Sequence, residues 1–555
     1  MTRSKKRPSR ETGPASAIRE IASLRSGAVR VLVTGGTGVV GRATVRALLA
    51  RGHEVRLFSR HADDDAKEWP HRIEPFPGDV SNEVEVRGAA DECDAVIHLT
   101  AIVAESPPDV TFETVNVGGT RLLVREAERA GVKRFVFVSS LGADRGESLY
   151  HQSKMRGEEV SRTFDGQWII VRPGNVYGSG DEQLSLMLTM VRTLPAIPVF
   201  AGGDKPFQPI WAEDLGEALA LAAERDDLGG QVLEVAGPEQ TTFEDVIDRL
   251  SRITKRHPVR LPIPVQLASV AVRVANALGA DLPVDSGQLT MLSEGNVVMS
   301  PEGNALTTVF GLRGTSLDDG LALLADSQPE VLPDEGVGAL TRKRFWADIE
   351  RSRMTPEMLF AHFVSHFAEC TPWHLDVAAE PGTPNVPELG ATLTLALPLL
   401  GNVQIRILEL DARRMTVCTV SGHPLAGAVR FLSEARGSMV RFEVQVIDRA
   451  ANVADWLVMN PIGARLQTAT WRDTVERVVK ESGGRAASGV EQESVKLDAD
   501  QAREVNEWLE RLVVARRQAD HEVRRDVRPG DQKPNAASDG PSYIEQREEK
   551  REARD

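Results

Sequence analysis

The sequence predicts an α/β protein: a doubly wound parallel sheet followed by a smaller α+β domain. Three observations carry this. From Val29 onward, apolar strand-like runs alternate with helical stretches. A glycine-rich turn, TGGTGVVG, follows the first of those runs directly. After about residue 330 the alternation gives way to consecutive strand-like runs and a closing helix.

The first runs are VRVLVTGG, EVRLFSR, DAVIHLT and RFVFVSS, with ATVRALLARG and TRLLVREAERAG as intervening helices. Runs such as VFVSS and WIIVRP are continuously apolar, as strands buried on both faces must be. The Pro-rich acidic stretch SQPEVLPDEGVG then reads as a linker. Beyond it, a helix is expected near Thr355 to Cys370, with Pro356 early and Pro372 past its end. Strand-like runs ATLTLALPLL, NVQIRILELD, RMTVCTVSG and SMVRFEVQVID follow. Trp471, Val475, Val478 and Val479 share one face of the closing helix. Asp500 is placed to cap a further amphipathic helix with Val505, Trp508, Leu509 and Leu512. The organisation therefore reads 1–27 disordered tail, 28–325 dinucleotide-binding domain, 326–339 linker, 340–482 α+β domain, and 483–555 charged tail with one helix.

The chain has 555 residues and a net charge of −15, which disfavours nucleic-acid partners. It holds no run of eighteen uncharged apolar residues, so no membrane span is expected. The best candidate, Pro262 to Ala280, carries Arg273 and reads as a buried or lid helix. Three dispersed cysteines, Cys93, Cys370 and Cys418, suit a reducing cytoplasm. Oligomeric state is left open.

Val31–Val33 leads into Thr34, Gly35, Gly36, Thr37, Gly38, Val39, Val40 and Gly41, and a helix pattern follows. Glycines spaced by three between a strand and a helix let the backbone approach a pyrophosphate at the helix N-terminus. This is the Rossmann-type signature, and the alternative is a purely structural tight turn. The next strand ends in Ser59-Arg60, where an NAD-selective site usually places an acid. Arg60, assisted by Arg42, could pair with a 2′-phosphate, so NADP(H) is the preferred cofactor and NAD(H) the second choice. The alternative is a pair of solvated surface arginines.

Ser139 and Ser140 end the strand RFVFVSS, and Tyr150 and Lys154 follow in YHQSK. Residues four apart share a helix face. An ammonium beside a phenol lowers the phenol's pKa, and such a tyrosine can exchange a proton with a substrate oxygen. Ser140 could hydrogen-bond that oxygen. The alternative is an ordinary surface Tyr–Lys pair.

TGGTGVVG, GDV (Gly78–Val80), HLTA (His98–Ala101), NVGGT (Asn116–Thr120), VSS, YHQSK and RPGNVYG (Arg172–Gly178) occur in this order. Together they resemble the extended and atypical short-chain dehydrogenase/reductases of the epimerase/dehydratase superfamily, over roughly Val29 to Leu324. The resemblance implies that Asp79 and Val80 contact adenine. It places Leu99, Thr100 and Ala101 beside the pyrophosphate and ribose, and Pro173, Asn175 and Val176 also on the cofactor. Asn116 would support the site through its backbone and a water, and Lys154 would also hold the nicotinamide ribose. Trp211 and Asp214 stand in segments resembling the substrate side. Where sugar-nucleotide members carry VYG after the strand serines, this chain has LGADRGES. That is similar to the atypical branch containing the accessory subunit of respiratory complex I, some of whose members bind cofactor without known catalysis. Two functions follow: an NAD(P)-dependent oxidoreductase or epimerase acting on a small carbonyl or alcohol, or a non-catalytic dinucleotide-binding scaffold.

The stretch from Ser421 to Gln467 resembles an uncharacterised helix-grip family akin to START-type domains, which implies a pocket for an apolar ligand. His423 reads as a turn-stabilising residue, with pocket lining as the alternative. His362, His366, Cys370 and His374 recur every four residues, but that repeat drifts around a 3.6-residue helix and Pro372 intervenes, so no metal is expected.

Overall fold

The computed structural model describes residues 28–526 apart from 70–72, 194–195, 201–204, 255, 264–295, 371–375, 380–386, 398–400 and 452. Residues 1–27, residues 527–555 and most of the Pro262–Ala280 stretch lie outside the described residues.

Seven strands form one sheet: β1 (Arg30–Thr34), β2 (Glu54–Ser59), β3 (Ile73–Pro77), β4 (Ala95–His98), β5 (Arg134–Val138), β6 (Gln167–Pro173) and β7 (Gln231–Val235). Their order is β7-β6-β5-β4-β1-β2-β3, and every neighbouring pair is parallel. The chain winds outward through β2 and β3, then returns to the other side of β1 at β4. That reversal opens a crevice at the carboxyl ends of β1 and β4. All five residues of β5 are buried, because helices cover both faces. Helices α1 (Val39–Ala50), α2 (Gly119–Ala130), α3 (Leu149–Ser161), α4 (Gln183–Thr193) and α5 (Ala212–Glu224) surround the sheet. Val45 and Leu48 of α1 share one core with Leu215 and Leu219 of α5. Leu123, Val124 and Ala127 of α2 enter a second core on the other face.

The second unit is a nine-stranded antiparallel sheet: β8 (Val337–Glu350), β9 (Asp376–Ala379), β10 (Thr392–Leu397), β11 (Gly401–Leu410), β12 (Arg414–Thr419), β13 (Leu425–Arg436), β14 (Met439–Ala450), β15 (Arg485–Ala486) and β16 (Glu491–Lys496). It is ordered β9-β10-β11-β12-β13-β14-β8-β15, with β16 also paired to β8. Phe345, Ala347 and Ile349 alternate along β8 onto one face. There they meet Phe360 and Phe363 of α6 (Pro356–Ser365) and Val475 and Val478 of the long helix α7 (Val453–Glu481). Thr355 caps α6 by accepting the Met358 N–H. The other face carries Leu340, Ile447, Leu408 and Cys418, covered by Val505, Trp508, Leu512 and Val513 of α8 (Ala499–Asp526).

The segment after residue 482 is therefore not a plain tail. It adds a strand to β8 and docks a helix whose Leu509 is fully buried. The cap of α8 is Asp498, which accepts the Gln501 N–H at 2.9 Å; Asp500 instead pairs with Arg503 in the first turn. The segment read as a linker is not an exposed tether either. Gln328 donates to Ser185 of α4, Val331 N–H to Thr419 O, and buried Glu330 pairs with buried Arg406 at 3.0 Å. Acidic and Pro-rich composition suggested solvent, but a buried guanidinium on β11 recruits the acid inward.

The His/Cys series is split by its surroundings. The helix breaks at His366, Cys370 turns into the core, and His362 and His366 stack at 4.2 Å with His362 facing Glu481. His374 lies outside the described residues. His423 pins its turn, accepting the Leu425 N–H at 3.0 Å.

Candidate active site

The turn between β1 and α1 owes its shape to glycine. Gly35 has φ +68°, a left-handed conformation that L side chains rarely adopt. A β-carbon on Gly41 would overlap the Gly35 carbonyl oxygen, and one on Gly36 would overlap Leu57. Gly38 differs: among the described residues a β-carbon there meets Gly35 O at 3.6 Å and nothing closer. Gly38 is also the N-cap of α1 and offers no side-chain cap, so the first-turn N–H groups face that open side. The residues fit a dinucleotide phosphate at this helix end. Arg42 lies in the same first turn and donates to Thr37 O at 2.8 Å, while Val39 faces the loop at Gly178.

Thr34 is buried and bridges the crevice. Its hydroxyl pairs with His98 Nδ1 at 2.8 Å and accepts the Leu99 and Thr100 N–H groups, while His98 Nε2 meets Thr120. This places Leu99, Thr100 and Ala101 along the lip, half-buried. Burial, with a smaller push from Lys154, drives the His98 pKa down to about 3. Between that value and the ordinary 6.5 the unfolded chain binds the extra proton, so stability falls as pH drops through this window. We expect His98→Gln to remove up to about 1.4 kcal/mol per pH unit of that acid sensitivity. Urea titrations of both proteins at pH 7 and pH 5 check it, and parallel losses would contradict a buried neutral His98.

At the end of β2, Arg60 is exposed and Ser59 donates to Asp65 at 2.6 Å. Asp79 accepts both the Ser81 N–H and hydroxyl; burial would raise its pKa, yet those bonds and Arg60 hold it below the usual carboxylate value. Val80 turns its side chain into the core against Gly119.

Ser148 caps α3 by accepting the His151 N–H. Gly157 lets α3 lie against Phe137 of β5: a β-carbon there would sit 2.6 Å from the ring. This close packing carries Tyr150 and Lys154 to the carboxyl end of β5. The strand serines separate. Ser139 donates to Glu158 at 2.7 Å, while Ser140 Oγ stands 3.4 Å from the Leu141 carbonyl oxygen and acts on the Tyr150 phenol, whose pKa it pulls down. Lys154 is buried, with Nζ 4.7 Å from the centre of the Phe137 ring. Burial pulls its pKa down to about 7, against an upward pull from Glu158.

The expectation that Lys154 lowers the phenol's pKa is not met. Burial pushes Tyr150 up to about 12, opposed by the Ser140 hydrogen bond. Lys154 is turned over an aromatic face and has itself lost much of its charge preference. The phenol is therefore protonated at neutral pH, able to donate.

Asn116 lies in a π-helical turn, Phe112–Gly118, that runs into α2. Its side chain brackets Ile102 through both backbone groups and donates to Ser153 at 2.9 Å. It ties the crevice lip to α3 through its amide. Beyond β6, Pro173 leads to Asn175, which donates to Gln183 and keeps a buried Oδ1 without a partner among the described residues, and to Val176, half-buried. A buried acceptor left in this way fits a bound ligand. On the expected substrate side, Asp214 is committed to Thr315, and Trp211 packs edge-on against Tyr177.

Sequence reading missed Phe137, Glu158, His98 and His151. Glu158 was the most legible, lying one helical turn past Lys154. Its carboxylate, fully buried, also holds Arg172 of β6 at 2.7 Å.

Residues 31–236 match the model of the NAD dependent epimerase/dehydratase family. The chain is 32% identical over 261 residues to sterol demethylase protein B of Methylococcus capsulatus, covering 42% of this chain and 78% of that one. It is 35% identical over 191 residues to a 3 beta-hydroxysteroid dehydrogenase/Delta 5→4-isomerase of Mycobacterium tuberculosis, covering 29% of this chain and about half (51%) of that one. It is 25% identical over 276 residues to the mitochondrial NADH dehydrogenase [ubiquinone] 1 alpha subcomplex subunit 9 of Arabidopsis thaliana, covering 48% and 68%. With a glycine-cradled crevice at the switch point of a seven-stranded parallel sheet and these likenesses, the chain belongs to the NAD-dependent epimerase/dehydratase family.

Proposed function

We propose that this protein is an NAD(P)-dependent oxidoreductase acting on the carbonyl or secondary alcohol of an apolar molecule, with Tyr150, Lys154 and Ser140 as its catalytic group. The observation that carries this is Tyr150 one helical turn before buried Lys154 on α3, packed by Gly157 against Phe137 at the end of the strand that leads into Ser140. The bound nicotinamide would supply or accept the hydride. Tyr150, protonated at neutral pH, delivers a proton to the carbonyl oxygen in the reducing direction. Ser140 steadies the same oxygen by hydrogen bonding. Lys154 holds the nicotinamide ribose and replaces the proton Tyr150 loses. The names of a sterol demethylase protein and a steroid dehydrogenase among the relatives favour an apolar substrate.

NADP(H) is the preferred cofactor on this reading, because Arg60 is exposed at the end of β2 and no acid replaces Ser59. NADPH should bind more tightly than NADH, and Arg60→Ala should weaken NADPH about tenfold while sparing NADH. Fluorescence titration measures both, and equal affinities in the unmodified protein would refute the preference. The long helix α7 laid against an antiparallel sheet supports a helix-grip reading of the second unit, with an apolar ligand as its cargo. Mass spectrometry of small molecules retained on the purified protein tests this. The likeness to a respiratory-complex subunit favours one second reading, a dinucleotide-binding scaffold, which predicts cofactor binding without turnover.

A further inference from the structure

His151 lies next to Tyr150, yet its ring turns away from solvent and is 1% exposed. It stands between two serines. Nδ1 is 3.0 Å from Ser148 Oγ, and Nε2 is 3.5 Å from Ser140 Oγ. Ser148 Oγ already accepts the backbone N–H of His151, so the Ser148 hydroxyl can turn its own hydrogen to Nδ1. That leaves the ring as the Nε2–H tautomer, donating to Ser140. Ser140 Oγ also stands 3.4 Å from the Leu141 carbonyl oxygen; with one lone pair filled from Nε2, its own hydrogen is left for that carbonyl or for an oxygen bound at the phenol. Gly142, at φ +89°, turns the chain just past Ser140. A β-carbon there would overlap Asn296 Oδ1 at 2.7 Å, while the His151 ring lies at ordinary contact distance. The Tyr150 and His151 rings also pack at 5.6 Å, so the imidazole is in contact with both Ser140 and Tyr150. Hydrogen bonds of this kind are long without substrate and tighten around the reacting oxygen.

We propose that His151 is a positioning residue that orients the Ser140 hydroxyl toward the Tyr150 phenol and the substrate oxygen, an inference that rests on the catalytic reading above. It touches no reacting atom. Its part is to hold one hydroxyl in a single rotamer and polarity, so it acts on the rate of the chemical step more than on substrate or cofactor affinity.

Three variants and one spectrum test it. The assay uses the most active compound from a panel of 3-hydroxysteroids and 3-ketosteroids, with NADP+ or NADPH. His151→Phe should lower kcat roughly tenfold, with KM and cofactor Kd within about twofold. His151→Gln, which keeps an N–H near the Nε2 position, should recover most of the rate. A helix-capping role alone would not give that rescue, because the cap is made by the backbone N–H. In the unmodified holoprotein, two-bond proton–nitrogen correlation should assign His151 as the Nε2–H tautomer, the missing signal in His151→Gln identifying it. An Nδ1–H tautomer overturns the proposal, and decides the matter even if His151→Phe fails to fold. Full kcat in His151→Phe, with Tyr150→Phe inactive, also overturns it while the catalytic reading stands. If Tyr150→Phe keeps the full rate, the catalytic reading fails and this inference falls with it.

Discussion

Tyr150→Phe is expected to lower turnover by about 10²–10⁴-fold, the usual contribution of a general acid. The change removes one oxygen and leaves the ring, which packs near Phe112 at 6.4 Å and His151 at 5.6 Å. The fold should be kept. Cofactor affinity should barely move, because the proposed phosphate cradle is the glycine turn between β1 and α1. Lys154→Met should differ in kind, losing rate and some cofactor affinity together, since the lysine is proposed to hold the ribose as well. Steady-state kinetics with cofactor titration separate these outcomes. An unchanged turnover in Tyr150→Phe would remove the basis of the proposed chemistry, and cofactor binding with no turnover on any substrate would favour the scaffold reading.

The largest effect on stability is expected at the strap between the two sheets. Glu330 and Arg406 have side chains 1% and 2% exposed, and Arg516 of α8 also reaches Glu330 at 2.8 Å. Glu330→Gln keeps the shape but removes the negative charge facing two arginines. Breaking a buried pair from one side costs about 3–5 kcal/mol. The loss should appear locally, as faster hydrogen exchange at the Val331 amide, bonded to Thr419 O, and the Ser421 amide, bonded to Pro329 O. A cost of that size corresponds to an increase of more than about a hundredfold. Proteolysis between residues 327 and 333 should follow in the variant and be absent from the unmodified protein. Unchanged exchange at both amides would mean that the pair is not what closes the strap.

Much of the first unit could be read from the chain. Periodicity and the glycine spacing are local signals, so they located β1, α1, the phosphate turn and the Tyr150–Lys154 turn of α3. The same reading failed where a residue's partner is remote in sequence. Ser140 was chosen from its place in VSS, but nothing local showed that Ser139 is taken by Glu158, nineteen residues on. The phenol's raised pKa comes from burial, and Lys154 lies over Phe137; neither is visible in YHQSK. The capping residue of α8 was misplaced by two positions because Asp498 and Asp500 are both competent caps by residue type.

The sequence by itself determined the parallel α/β class, the dinucleotide turn and the candidate proton donor, because hydrophobic period and glycine geometry act over neighbouring residues. Tertiary structure decided that Ser139 is held by Glu158, how burial shifts Lys154, and that residues 327–333 are a packed strap carrying a buried charge. Burial and ion pairing are set by atoms brought together across tens to hundreds of residues, and desolvation depends on everything that surrounds a group rather than on its neighbours in the chain.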